Sequence, residues 1–269
     1  MKTEPSDAVF RRVFAVMNQA DSRGRAGTQA PDWARRLQVP LQEISLHDQA
    51  SGADPWGQQF QRTDLLVCGK DVPSMYKKNL LRKTQRKGAP ALLLCSSSGE
   101  LPTRILLVDR GGPGADDLLP QTAKLCVLFR AGLVALTVAR TEREARLRQR
   151  QARETPLGCP VPVNFDFLAG AEERAAVANV ARWRHCQLVV LEATHASPWA
   201  RWLGSVPGPW IMDLLDTLSF LVVPTMNRAA LTPVSSDAAP GPQTLPCRPS
   251  VISTPGRGEL VASTPHRPS

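Results

Sequence analysis

Long apolar runs are missing from this chain. No stretch reaches the roughly 18–20 uncharged apolar residues that a membrane-spanning helix needs. Leu125–Ala139 is interrupted by Arg130 and Gly132, and Trp210–Met226 by Asp213 and Asp216. The opening residues, Met1–Asp7, carry no signal-peptide apolar core. A soluble, cytoplasmic protein with no membrane contact is therefore expected. The six cysteines, Cys68, Cys95, Cys126, Cys159, Cys186 and Cys247, include no CxxC pair, so neither a zinc site nor a redox motif is indicated. Cys68, Cys95 and Cys126 sit inside apolar runs and read as small core hydrophobes, a use that fits a reducing compartment. A Gly-x-Ser-x-Gly elbow and an HExxH helix are also absent. Gly111-Gly-Pro-Gly114 lacks the lysine and serine of a Walker-type phosphate cradle. No catalytic or metal-binding constellation emerges, so an enzyme is not expected.

What is present is a core-forming composition with a basic excess. Of the 269 residues 42% are hydrophobic, and the net charge is +9. Such an excess favours polyanions when it is clustered. It clusters at Lys77, Lys78, Arg82, Lys83, Arg86 and Lys87, where Leu80 and Leu81 supply an inward face. That segment reads either as an anion- or nucleic-acid-binding helix or as an ordinary solvated one. A second basic run, Arg143–Arg153, is diluted by Glu142, Glu144 and Glu154.

Beyond Pro224 the character changes. Residues 225–269 hold eight of the 24 prolines and no periodic apolar pattern. They cannot bury enough surface to offset their ordering entropy, so a disordered tail is expected, with a tether for a protein partner as its functional reading.

The body contains an internal echo. Arg12-Val-Phe-Ala-Val-Met17 reads like Arg104-Ile-Leu-Leu-Val-Asp109; Asp64-Leu-Leu-Val-Cys-Gly69 like Gln187-Leu-Val-Val-Leu-Glu192; and Ala89-Pro-Ala-Leu-Leu-Leu-Cys95 like Ser219-Phe-Leu-Val-Val223. Two copies of one unit are inferred, 1–97 and 103–224, joined by a linker at 98–102. In the second copy, apolar strand runs at Arg104–Asp109, Leu133–Ala139, Val161–Leu168, Gln187–Ala193 and Ser219–Val223 alternate with helical patterns. Asp116 and Asp117 lie in the first turn of the first helix, and Gly132 is placed at its C′ position. Alternating strands and helices with near-continuous Val/Leu/Ile runs predict a parallel sheet covered on both faces. Between Leu46 and Asp64 the first copy is too short for a helix, a strand and another helix, so it is expected to lack its third strand or to keep only a remnant.

Strand one ending in Asp109, strand four running into a loop that closes on Gly204-Ser205, and a last strand reading Val-Val-Pro224 together resemble the universal stress protein family. The resemblance covers the second copy throughout and the first in patches. It implies an α/β fold of two flavodoxin-like, Rossmann-like parallel-sheet units of the HUP type, the first abbreviated, in a bacterial stress-adaptation protein. It also implies that the units pair through their last strands, here Pro90–Cys95 and Ser219–Val223, as a pseudo-dimer within one chain or through a homodimer.

The ligand implied by the resemblance is an adenine nucleotide such as ATP, held by Asp109, Gly204 and Ser205. The family's two earlier loop glycines fall here on Glu192 and His195. A carboxylate there repels a triphosphate, and a Cβ restricts backbone approach. Glu192 and His195 also read as an acid–base pair or as an incidental one. Trp199, Trp202 and Trp210 either stack a base or seal the loop. These departures predict a vestigial or altered nucleotide pocket with no resident cofactor. The alternatives are a nucleotide-binding regulator or weak hydrolase of the same fold, and a polyanion-binding module on the 77–87 helix.

Overall fold

The structure, a computed structural model, describes residues 9–17, 25–45, 60–69, 72–84, 89–96, 100–111, 115–170, 173–193 and 209–224, without the side chains of 25–28, 173, 209 and 210. Nine strands and six helices alternate through these residues. The strands are β1 (Arg12–Met17), β2 (Leu41–Ser45), β3 (Asp64–Cys68), β4 (Ala91–Leu94), β5 (Arg104–Asp109), β6 (Gly132–Ala139), β7 (Val163–Ala169), β8 (Leu188–Ala193) and β9 (Ser219–Pro224). The helices are α1 (Arg25–Leu37), α2 (Ser74–Thr84), α3 (Ala115–Phe129), α4 (Glu142–Glu154), α5 (Glu173–Trp183) and α6 (Pro209–Leu214). All nine strands belong to one sheet in the order β2-β1-β3-β4-β9-β8-β5-β6-β7. Every neighbouring pair is parallel except β4 with β9, which is antiparallel. The α/β fold read from the apolar runs is thus observed. The predicted tail, 225–269, lies outside the described residues.

The hydrogen-bond registers reproduce the sequence echo. In the first half Val13 pairs with Leu65 and Val16 with Cys68. In the second half Ile105 pairs with Leu188 and Val108 with Leu191. Leu65 then pairs with Ala91, and Leu188 with Ser219. These equivalences set Leu92 against Phe220, Leu93 against Leu221 and Leu94 against Val222. Across the antiparallel junction Leu92 pairs with Val222, Leu93 with Leu221 and Leu94 with Phe220. The pairing is therefore symmetric about Leu93–Leu221, where a local twofold passes through the sheet. The second half runs third-second-first-fourth-fifth outward to inward. The first half runs second-first-fourth-fifth, with no third strand among the described residues.

The entrance to each half is fastened at the same place by different chemistry. Asp64, fully buried, receives Arg12 Nε at 2.9 Å, Arg12 Nη2 at 2.6 Å and the Gln61 N–H at 2.6 Å. The side-chain hydrogen bond to Asp64 raises the Arg12 pKa. At the equivalent position Gln187 Oε1 accepts from the Thr103 N–H at 3.1 Å and the Arg104 N–H at 3.0 Å. Either way the start of the first strand is tied to the start of the fourth.

Strand periodicity divides the core into two layers. Phe14, Val16, Leu66, Leu92, Leu94, Leu106, Val108, Val189, Leu191, Phe220 and Val222 face α2, α5 and α6. Val13, Ala15, Leu65, Val67, Leu93, Ile105, Leu107, Leu188, Val190 and Leu221 face α1 and α3. Each layer crosses the β4–β9 junction without a break, so both halves share both cores. Cys68, Cys95 and Cys126 are buried within them, as expected. Burial pushes the Cys126 thiol up to about 12 and the Cys186 thiol up to about 11, which leaves both un-ionised at neutral pH.

Helix ends correct one sequence reading. Gly132 opens β6 rather than closing α3; the left-handed position is taken by Arg130 at φ 55°. Gln38 at φ 57° and His185 at φ 53° do the same after α1 and α5. All three are non-glycine, so tertiary packing overrides the usual preference. The Ala131 N–H bonding Cys126 O at 2.8 Å and the Val39 N–H bonding Ala34 O at 3.1 Å complete two of these closures.

Because the cores are continuous, the sheet should unfold as one unit. Leu93→Ala is expected to cost about 2–5 kcal/mol by cavity formation while keeping a single urea transition. Two resolved transitions, one per half, would contradict the shared core.

Candidate functional site

Doubly wound sheets take ligands beyond the carboxyl ends of their strands, near a switch in strand order. In the second half that place lies between β5, β6 and β8. A cavity of about 180 Å³ opens there, walled by Leu107, Leu118, Leu119, Ala135 and Ala152 and carrying the polar groups of Asp109, Asp116, Thr137, Arg148, Gln151, Thr155 and Glu192. Asp109 reaches it because β5 ends there; its Oδ1 accepts the Gly111 N–H at 2.7 Å, a turn that Gly111 permits at φ +67°. Glu192 reaches it from β8 and is buried at 8% exposure. Thr137 comes from β6, opposite Asp109 in the ladder.

The other wall is α4. Thr141 caps this helix, accepting the Glu144 N–H at 3.2 Å. Two turns on, Arg148 lies over Gly111, where any Cβ would overlap its guanidinium. Arg148 Nη1 donates to Arg110 O at 2.6 Å and Nη2 to Glu144 Oε1 at 2.6 Å. Arg148 therefore binds the β5 loop to α4 while adding one positive charge beside three carboxylates. Burial pushes the Asp109 carboxyl above its ordinary range, the Gly111 N–H and the Arg148 charge pull it back, and Asp116 pushes it further up. The site holds acceptors in a poorly solvated cleft, an arrangement suited to a ligand that donates hydrogen bonds.

Asp109 and Glu192 both line this cavity. His195, Gly204 and Ser205 lie outside the described residues, as do Trp199 and Trp202. Sequence reasoning missed Thr137, Arg148, Gln151 and Thr155. Arg148 sits in a run read as diluted charge, and only the Thr141-x-x-Glu144 cap and the Glu144–Arg148 spacing mark its direction. Asp116, read as complementing a helix dipole, also faces the cavity. On α2, Lys78 and Arg82 are exposed and Lys83 is half-buried, whereas Lys77 is buried at 4% exposure and does not belong to a solvent-facing anion surface. It falls on the same side of the helix as Leu80, Leu81 and Thr84. Arg86 and Lys87 lie outside the described residues. Among the described residues no helix is long and apolar enough to cross a membrane.

Comparison with solved structures gives likenesses at low identity. The chain is similar to PA1789 of Pseudomonas aeruginosa PAO1, a protein of unknown function, with a TM-score of 0.51 and 15% identity over 80% of this chain and 93% of that one. It is also similar to a universal stress protein from Archaeoglobus fulgidus DSM 4304, with a TM-score of 0.48 and 10% identity over 81% and 87% of the two chains. A third similar structure is a universal stress protein in complex with cAMP, with a TM-score of 0.39 and 18% identity over 47% of this chain and all of that one. No protein-family model and no curated protein matches the sequence. What the chain shares with PA1789 is its α/β fold.

The raised Asp109 pKa gives a pH test. A carboxyl whose folded-state pKa lies above its unfolded value of 3.8 contributes stability below that value and loses it as pH rises through the folded pKa. Asp109→Asn removes the ionisation and leaves an oxygen for the Gly111 N–H. Thermal melts should show the variant more stable than the wild type at pH 7, with the gain shrinking toward pH 3.8. A variant less stable at pH 7 would mean that the charged carboxylate supports the fold.

Proposed function

We propose that the chain is a tandem universal-stress-protein-like regulator, with units at 1–97 and 103–224 joined by 98–102, that works by binding rather than by catalysis. Its ligand site on this reading is the cavity at the end of β5, in altered form. The supporting observation is the meeting of Asp109, Thr137 and Glu192, from three neighbouring strands, around one cleft at the position where such sheets take ligands. The register-for-register echo of β1, β3 and β4 in β5, β8 and β9 supports the tandem arrangement. A cytoplasmic location is part of the same reading.

The chemistry of the cleft argues against tight ATP binding. Asp109, Asp116 and Glu192 face it against Arg110 and Arg148, so carboxylates outnumber cations, and both outer nitrogens of the Arg148 guanidinium are already engaged. Its volume of about 180 Å³ is below the roughly 300–1,000 Å³ of common ligand pockets. A base or sugar fits such a space better than a triphosphate does. One structurally similar protein was determined with cAMP, which makes adenine compounds the natural probes. With Lys77 inside the protein, the polyanion reading of α2 is left with a thinner cationic face.

A ligand present at 100 times its dissociation constant adds about 2.7 kcal/mol of stability. In a thermal-shift assay with ATP, AMP, cAMP and adenosine, ATP at millimolar concentration is expected to leave the melting temperature unchanged. A saturable ATP shift that Asp109→Ala removes would reveal an intact nucleotide site and overturn the altered-pocket reading.

A further inference from the structure

Several arginines are matched by carboxylates. Arg12 pairs with Asp64, Arg146 with Glu142, Arg148 with Glu144, Arg174 with Asp213 and Arg184 with Asp166. Two arginines unmatched among the described residues lie together at the hollow where the ends of α1 and α3 meet. There the two helices touch through Trp33 and Phe129, whose ring centroids are 4.4 Å apart. A hollow of about 550 Å³ lies beside this contact, lined by Asp32, Arg35, Arg36, Gln38, Leu101, Val127, Leu128 and Arg130. Arg35 is bound to Asp32 at 2.9 Å. Arg36 and Arg130 are exposed and form no ion pair among the described residues.

Cations near a helix C-terminus ordinarily serve the helix, through its dipole or its last carbonyls. Here backbone donors already reach two of the last carbonyls of each helix. The Gln38 N–H bonds Arg35 O and the Val39 N–H bonds Ala34 O; the Arg130 N–H bonds Val127 O and the Ala131 N–H bonds Cys126 O. The guanidinium groups are left free to meet something else. Part of the lining is an apolar patch, with Leu101 and Leu128 half-buried and Val127 at 47% exposure. Its volume falls within the range of small-molecule sites. Two uncommitted cations beside an exposed apolar patch complement an anion carried on an apolar body.

We propose that this hollow binds a small amphipathic anion, with its acidic head between Arg36 and Arg130 and its apolar part on Val127, Leu128 and Leu101. The site is separate from the cleft at Asp109, shares no lining residue with it, and stands whether or not that cleft binds nucleotides.

Calorimetric titration of the full chain with octanoate tests it, with Trp33 fluorescence as a second readout. The wild type should bind octanoate saturably at one site. Octanol, of equal chain length but uncharged, and inorganic phosphate, charged but without an apolar body, should each bind at least about tenfold more weakly. The double variant Arg36→Gln, Arg130→Gln should lose about tenfold or more in octanoate affinity, the scale of one charge-assisted hydrogen bond. Both positions are exposed, and glutamine already occupies the equivalent left-handed position at Gln38, so the variant should melt with the wild type. Absence of saturable octanoate binding by the wild type, equal binding of octanol or phosphate, or unchanged affinity in a folded double variant would each overturn the proposal.

Discussion

A sheet that ended at β4 would leave a row of backbone N–H and C=O groups unpaired along Ala91–Leu94, between two apolar layers. An edge of this kind is costly when dry and adhesive when exposed. The antiparallel pairing of β4 with β9 removes it. Leu92, Leu93 and Leu94 are all fully buried against Phe220, Leu221 and Val222, and burial of each such side chain contributes about 1.5–3 kcal/mol. The junction also explains how a half with four strands among the described residues persists: its two core layers do not end at its own boundary but continue into the other half.

That shared scaffold determines where the chemistry sits. The twofold at Leu93–Leu221 turns the carboxyl ends of the two sets of strands to opposite edges of the sheet, so the clefts of the two halves cannot merge. Only the second half has a carboxylate at the end of its first strand; Met17 stands at that position in the first. In the second half α3 and α4 flank the end of β5, and Arg148 ties α4 to the loop after β5 across Gly111. The resulting cleft concentrates desolvated acceptors, which costs stability and is the kind of local expense that functional sites carry.

Much of the fold was legible because strands buried on both faces must be apolar without interruption, and their runs can be aligned by eye. Asp64-Leu-Leu-Val-Cys against Gln187-Leu-Val-Val-Leu is an echo that the ladder repeats residue by residue. The end of α3 was misread because glycine is the usual sign of a left-handed cap, and here Arg130 adopts that conformation under tertiary constraint. Lys77 was misassigned because a basic run does not show which of its members turns inward. Arg148 was missed because its role depends on a neighbour 37 residues earlier, Gly111, whose lack of a side chain makes room for it. Local pattern gives periodicity; it does not give the long-range contacts that convert a charged helix into the wall of a site.

Native-state hydrogen exchange along the β4–β9 junction tests the shared sheet most directly. Slow-exchanging amides within Leu92–Leu94 and Phe220–Val222 should open only with global unfolding, at the same free energy as the best-protected amides of β3 and β8. Exchange at the junction by a lower-energy opening, with β3 and β8 still protected, would show two separately folded halves in loose contact and contradict a common core.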